Sequence, residues 1–251
     1  MSKKDERLGE VEYNSFGEKM IIVEYNDVHN IIVEFQDEFK YKVHTKYVNF
    51  KNGVVKNPYY KGVYNIGYIG VGKYSRKNTP KIYNDWHKML QRCYDPFWIN
   101  NHLTYIDCVV CDEWLCLQNF GKWHEENYYK IPNEIIDLDK DILIKGNKVY
   151  SPKTCVFVPQ RINKLILTNK RHRGAYLIGC DEKQDKIRVR CLTTEGSKHL
   201  GYFPLNKPFQ AFTCYKNFKE NYIKQVADEY KDYIPEILYK IMYEWRVEIN
   251  D

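Results

Sequence analysis

Hydrophobic positions change period along this chain, and each change marks a new piece of structure. Between residues 17 and 50 they alternate: Ile31, Val33 and Phe35 are interleaved with Ile32, Glu34 and Gln36. After Asp37-Glu38 the series returns as Phe39, Tyr41 and Val43 against Lys40, Lys42 and His44. Side chains two apart along a strand share a face, so this pattern predicts a hairpin with one buried side. Met20 to Tyr25 forms a preceding strand that ends at Asn26-Asp27, and Asn52-Gly53 marks a turn before Val54-Val55. The expectation is a small amino-terminal β domain over residues 1–74.

From Pro80 the period becomes helical. Ile82, Trp86, Met89, Leu90 and Cys93 fall on one face of a helix that Asp95-Pro96 stops. Trp114, Leu117, Phe120 and Trp123 define a second helix with Asp112 and Glu113 in its first turn, and Tyr105 to Cys111 reads as a strand between the two. Further on, Ile142 to Ile144 and Cys155 to Val158 flank a Lys145-Gly146-Asn147-Lys148 turn and a Ser151-Pro152 break. That order predicts strand, tight turn, short excursion, strand. Asp137, Asp139 and Asp141 stand at its entry, with Asp139 and Asp141 on one strand face. These segments form a central αβ core, residues 75–169.

The last piece, residues 170–251, opens with the basic link Lys170-Arg171-His172-Arg173. Three strands follow, Ala175 to Cys180, Lys186 to Leu192 and Lys198 to Phe203. A helix then carries Phe209, Phe212, Tyr215, Phe218 and Tyr222, and a final helix from Pro235 to Val247 presents Leu238, Ile241, Met242 and Trp245. The fold class is therefore α+β and modular: a small β domain, an αβ core, and a three-stranded sheet with helices.

Composition narrows the function classes. A chain of 251 residues with 43% hydrophobic and 16% aromatic residues is not disordered. No apolar run approaches the roughly 18 residues of a membrane span. The charged amino terminus, MSKKDERLGEVEY, lacks the apolar stretch of a secretory signal, which places the protein in the cytoplasm. Eight scattered cysteines read as reduced thiols. A net charge of +6 is modest, so affinity for nucleic acid must come from a local patch. The abundance of Lys, Asn, Ile and Tyr fits the AT-rich coding sequence of a low-GC bacterium or its phage.

Four stretches bear on chemistry. Gly-Tyr-Ile-Gly-Val-Gly-Lys at 67–73 has the glycine-lysine spacing of a phosphate loop, but Tyr74 replaces the magnesium-binding hydroxyl and SRKNTP cannot open the required helix. Cys108 and Cys111 have the spacing of a zinc knuckle without its second pair, so no metal site is assigned. Lys40, Lys42, His44 and Lys46 share a strand side that suits either phosphates or plain solvent. In Lys186 to Leu192 the residues Lys186, Arg188 and Arg190 project from one face while Ile187, Val189 and Cys191 project from the other. The apolar face needs a helix. The basic face needs a partner, and Arg171, Arg173 and Lys198 would add backbone contacts.

Two resemblances give these features a context. Leu-Asp-X-Asp from Leu138, Gly-Asn-Lys from Gly146 and Ser-Pro-X-Thr-Cys-X-Phe-Val from Ser151 resemble the core of phage-type HNH (His-Me finger) endonucleases. The runs beginning at Trp86, Val109 and Asn119 extend that likeness over roughly residues 80 to 166. It implies single-metal DNA cleavage, yet Lys140 stands where the family has its general-base histidine, and Ser151 and Thr154 stand in place of asparagines. The corresponding degenerate positions are Asp139, Lys140, Asp141 and Asn147, and no histidine lies between residues 125 and 171. His87, His102 and His124 are left to approach from neighbouring elements. Leu200-Gly201-x-Phe203 and Ala211-Phe212-x2-Tyr215 resemble the AP2 DNA-binding domain over roughly residues 174 to 230, departing from it at Pro204 to Pro208. Together the resemblances imply a phage or mobile-element protein that binds double-stranded DNA with cleavage weakened or lost. It would lie in the host cytoplasm and need no cofactor beyond a divalent metal if it cleaves. The rival expectation is a disabled nuclease scaffold that grips and inhibits a host protein such as a bacterial defence factor.

Overall fold

The computed structural model describes residues 6–166, 176–249 and 251. The protein is α+β and divides into two compact units, one of Met1–Ile106 and Asp112–Lys122, the other of Asp107–Cys111 and Trp123–Asp251. The stretch 75–169 contributes residues to both.

The first unit is built on a four-stranded antiparallel sheet, β1 (Val11–Tyr13), β2 (Lys19–Asp27), β3 (Asn30–Phe35) and β4 (Lys42–Thr45), paired in sequence order. The predicted alternation holds: Ile31, Val33 and Phe35 are buried with Met20, Ile22 and Tyr25. β4 starts later than the pattern suggested. Asp37 Oδ1 accepts the backbone N–H groups of Phe39 and Lys40, both at 3.0 Å, and the resulting Asx turn holds Lys40 at φ 49°. A short helix, α1 (Tyr47–Lys51), adds Phe50 to the core.

Helix α2 (Pro80–Tyr94) buries the expected stripe of Ile82, Trp86, Met89, Leu90 and Cys93, and Trp86 Nε1 donates to the carbonyl of Trp114 at 2.8 Å. Asp95 stops α2 and also begins α3 (Pro96–Asn101), because its carboxylate accepts from Phe97 N and Trp98 N. The glycines at 67–73 serve packing. A Cβ at Gly67 would lie 2.4 Å from Leu90 Cδ1, and the next helix begins only at Pro80.

Tyr105 to Cys111 passes into the second unit at Asp107 and is strand only at β5 (Val109–Val110), since Asp107 adopts φ 65° and Leu103–Tyr105 is a 3-10 turn. A second 3-10 turn, Asp112–Leu115, precedes α4 (Leu117–Asn127), which carries the chain into this unit. The hairpin strands are β6 (Ile136–Asp139) and β8 (Val156–Pro159), antiparallel, with Leu138 opposite Phe157. Between them β7 (Val149–Tyr150) pairs in parallel with β5, and after them comes α5 (Gln160–Ile166). Ile142 to Ile144 is not a strand, because Asp139 turns the chain first. Ile142 is then buried in the helical core and Ile144 is 53% exposed.

The carboxy-terminal sheet has the order β11-β10-β9, from β9 (Cys180–Lys183), β10 (Lys186–Thr193) and β11 (Gly196–Pro204). β9 begins where the sequence expected a strand to end. Residues 177 to 180 turn through Gly179 at φ 76°, whose backbone meets the Tyr215 ring too closely for any Cβ. Gln184 and Asp185, at φ 53° and 56°, close the β9–β10 hairpin. Pro208 occupies the first turn of helix α6 (Pro208–Tyr230), a position with no N–H to lose, and α7 (Glu236–Glu244) follows.

One helix serves two cores. Ala211, Phe212 and Tyr215 of α6 pack on Ile187, Val189 and Cys191 of the sheet. Ile223, Val226, Ala227 and Tyr230, further along, pack on Val156, Val158, Ile162 and Leu165 of the hairpin and α5, with Leu238 and Met242 of α7. Trp245 touches both clusters. Phe209, expected on the apolar face of α6, is 67% exposed.

Candidate nucleic-acid interface

The hairpin positions come first, because their local bonding settles what each can do. Asp139 is the last residue of β6, and its Oδ1 accepts the backbone N–H of Asp141 at 2.9 Å and of Ile142 at 2.8 Å. This Asx turn places Asp141 beyond the strand, so the two carboxylates do not share a strand face as the sequence suggested. Burial, reinforced by the charge of Asp141, pushes the Asp139 carboxyl up to about 6.

Lys140 is buried, with Nζ 3.1 Å from Asp141 Oδ2. Burial, the largest single influence, pulls its ammonium down, but Asp141 together with Cys108 and Asp139 outweighs it, and the net shift is upward. An ammonium held protonated cannot take a proton from water. Asn147 Nδ2 donates to the carbonyls of Lys140 at 2.6 Å and Val149 at 2.7 Å, while its Oδ1 accepts from Val149 N at 3.3 Å. Both ends of this amide are committed to the loop backbone. Ser151 and Thr154 brace the same loop through an Oγ–Oγ1 hydrogen bond of 2.8 Å, and Thr154 also donates to the Val149 carbonyl at 2.6 Å.

The neighbouring histidines are held by rings. His87 packs against Tyr64 and Tyr83, and burial lowers its pKa. His102 stacks on Trp98, with Nδ1 3.0 Å from that residue's carbonyl oxygen. His124 is buried against Tyr128 and Phe157. All eight cysteines are free thiols, and burial raises the pKa of Cys108. Among the described residues no three His, Cys, Asp or Glu side chains form a group that could hold a metal ion.

The carboxy-terminal sheet presents a different kind of surface. Along β10 burial alternates as the sequence predicted: Ile187, Val189 and Cys191 are buried beneath α6, and Lys186, Arg188 and Arg190 project from the other face. Cross-strand register extends that open face. Lys183 lies opposite Lys186 and Asp181 opposite Arg188 on one side; Tyr202 lies opposite Arg188 and His199 opposite Arg190 on the other. Tyr202 and His199 touch edge to face at 4.7 Å between ring centres. Asp181 bonds both arginines, and the Arg188 guanidinium followed by that of Arg190 holds its carboxyl below the usual range.

Lys198 does not belong to this face. A bulge between Val189 and Arg190 resets the register so that Lys198 pairs with Cys191 of the helix side, and its Nζ lies 5.0 Å from the centre of the Phe218 ring. Arg171 and Arg173 lie outside the described residues. Sequence reasoning did not place Lys183, Tyr202 and His199 on this face: the Gln184-Asp185 turn sets Lys183 opposite Lys186, whereas Tyr202 and His199 are placed by the β10–β11 pairing and its bulge. In the first unit, Lys42, His44 and Lys46 are exposed, and Lys42 pairs with Glu34 at 3.4 Å.

Among the described residues no helix is long and apolar enough to cross a membrane. Comparison with protein-family models, with curated proteins and with solved structures finds no match.

Proposed function

We propose that this chain binds double-stranded DNA through the open face of the β9–β11 sheet, as a phage or mobile-element protein related to HNH endonucleases in which cleavage is weak or lost. The observation that carries this reading is the segregation of cations. Among the described residues, Lys183, Lys186, Arg188 and Arg190 share a face with one carboxylate, Asp181, and with the exposed Leu192, while Cys180, Ile187, Val189 and Cys191 are buried on the other side. Lys183 and Lys186 stand directly opposite each other, an arrangement that costs stability unless an anion lies over it. Three strands spaced about 4.8 Å apart make a sheet about 10 Å across, within the roughly 12 Å of a major groove.

The strand–loop–strand–helix order of β6, β8 and α5 supports the nuclease-like resemblance. The protonated Lys140 and the backbone-bound Asn147 support loss of water activation there.

Fluorescence anisotropy with a labelled duplex tests the reading. Affinity should fall steeply with added salt and drop when Arg188 and Arg190 are both changed to alanine. Undetectable or salt-insensitive binding overturns it. Plasmid nicking with magnesium, manganese or zinc, run beside an Asp139→Ala, Asp141→Ala variant, should show little activity; strong nicking that the variant abolishes overturns the loss of cleavage.

A second reading, capture of a host protein, is favoured by the bare aromatics Phe97 and Phe209, 79% and 67% exposed. A stable complex recovered from nuclease-treated host lysate, lost on Phe97→Ala or Phe209→Ala, would support it.

A further inference from the structure

Arg188 sits mid-face between Asp181 on β9 and Tyr202 on β11. Asp181 grips its guanidinium side-on: Nε donates to Oδ1 at 3.2 Å and Nη2 donates to Oδ2. Arg190 Nη2 reaches the same Oδ2 at 3.4 Å. A guanidinium carries five N–H groups in a rigid fork, so this grip leaves the outer edge, with parallel N–H groups on Nη1 and Nη2, free of Asp181. The pair is partly exposed, at 22% for Arg188 and 36% for Asp181, so it adds little to stability. Its consequence is orientation.

The same carboxylate also decides what Arg188 can receive. A negative charge beside the guanidinium repels a phosphate and largely cancels the long-range pull of the arginine. It does not weaken selection for a neutral acceptor pair that fits the fork, such as O6 and N7 on the major-groove edge of guanine. Lys183 and Lys186, without a carboxylate opposite them, retain the phosphate attraction.

We infer that Asp181 is a positioning residue that aims Arg188 at a guanine edge, so that Arg188 determines sequence preference while Lys183 and Lys186 supply affinity. The inference rests on the duplex-binding reading above. Its test begins with selection of preferred duplexes from a randomised pool by the full chain. The selected duplex and a scrambled one are then titrated with the wild type, Asp181→Asn and Arg188→Lys, and thermal unfolding checks that each variant is folded.

The wild type should prefer the selected duplex by about tenfold or more, the discrimination of one bidentate base contact. Asp181→Asn should bind the scrambled duplex at least as tightly as the wild type, with the preference reduced to about threefold or less. Arg188→Lys keeps the charge and the salt dependence but should lose the preference as well, because an ammonium lacks the fork. Retention of the full preference by Asp181→Asn overturns the inference, as does an equal loss of affinity for both duplexes. A wild type that binds duplex without any preferred sequence overturns it too, leaving duplex binding intact. A wild type that binds no duplex overturns both.

Discussion

Asn147 donates its side-chain amide to the carbonyl of Lys140 at 2.6 Å, closing the loop that follows β6 on itself. A second bond from the same nitrogen, 2.7 Å to the Val149 carbonyl, ties that loop to β7. Asn147→Ala removes both donors and should destabilise the protein by about 1 to 2 kcal/mol in urea unfolding. Asn147→Asp should cost more, because it turns a carboxylate oxygen toward two carbonyl oxygens.

The Asp139 carboxyl gives a pH signature. Its folded pKa, raised to about 6 by burial and by Asp141, lies above the ordinary carboxylate value. Its contribution to stability is therefore complete below the unfolded value of about 3.9 and is lost as pH rises through about 6. Asp139→Asn keeps the Oδ1 acceptor of the Asx turn without the charge. Relative to the wild type it should gain stability progressively across that window and hold the gain at neutral pH. Denaturant midpoints at the two ends of the window measure the difference, and an unchanged gap would contradict the raised pKa.

Opposite faces of one sheet should answer differently to the loss of a lysine. Lys186→Ala is expected to weaken duplex binding and to reduce the salt slope by about one. Lys198→Ala should leave duplex affinity within about twofold, since a side chain over Phe218 is no phosphate contact. Anisotropy titrations at several salt concentrations separate the two.

Lys219 of α6 is 8% exposed, and no carboxylate pairs with it among the described residues. Burial pulls its ammonium down, opposed only by Cys191. A depressed lysine contributes stability above its unfolded value of about 10.4 and loses it as pH falls through the lower folded value. At neutral pH the group is therefore a cost. Lys219→Met, of similar length, should stabilise the protein by about 1 kcal/mol or more at pH 7 in thermal or denaturant unfolding.

Strong periodicity made much of this fold legible. The stripe Ile82, Trp86, Met89, Leu90, Cys93 and the alternations at 31–35 and 186–191 are buried as their spacing required. What escaped was decided by single side chains bonding to local backbone. Asp139 ended a strand that Ile136 and Leu138 had begun, so the apolar run after it became loop. Asp95 read as a stop while it also capped the next helix. The face of Lys198 depended on one bulge, and a shift of one residue moves a side chain to the other side of a sheet. On the carboxy-terminal sheet, alternation predicted that Lys186, Arg188 and Arg190 share one face, as they do. Only the pairing of β9 with β10 brought Asp181 between the two arginines.

The shared helix has a meaning for how such a protein could be inherited. At about 1.5 Å per residue, the 23 residues of α6 form a rod of about 35 Å, with one end lodged in the sheet and the other in the hairpin. Recombination that joined foreign sequence just ahead of Tyr176 would strip Ile223, Val226 and Ala227 of their partners and leave Ile162 and Leu165 bare in the donor. Neither fragment would keep a closed interior. Hairpin and sheet therefore share one interior support, and a change to the surface chemistry of the hairpin that spares its buried residues would leave both folded.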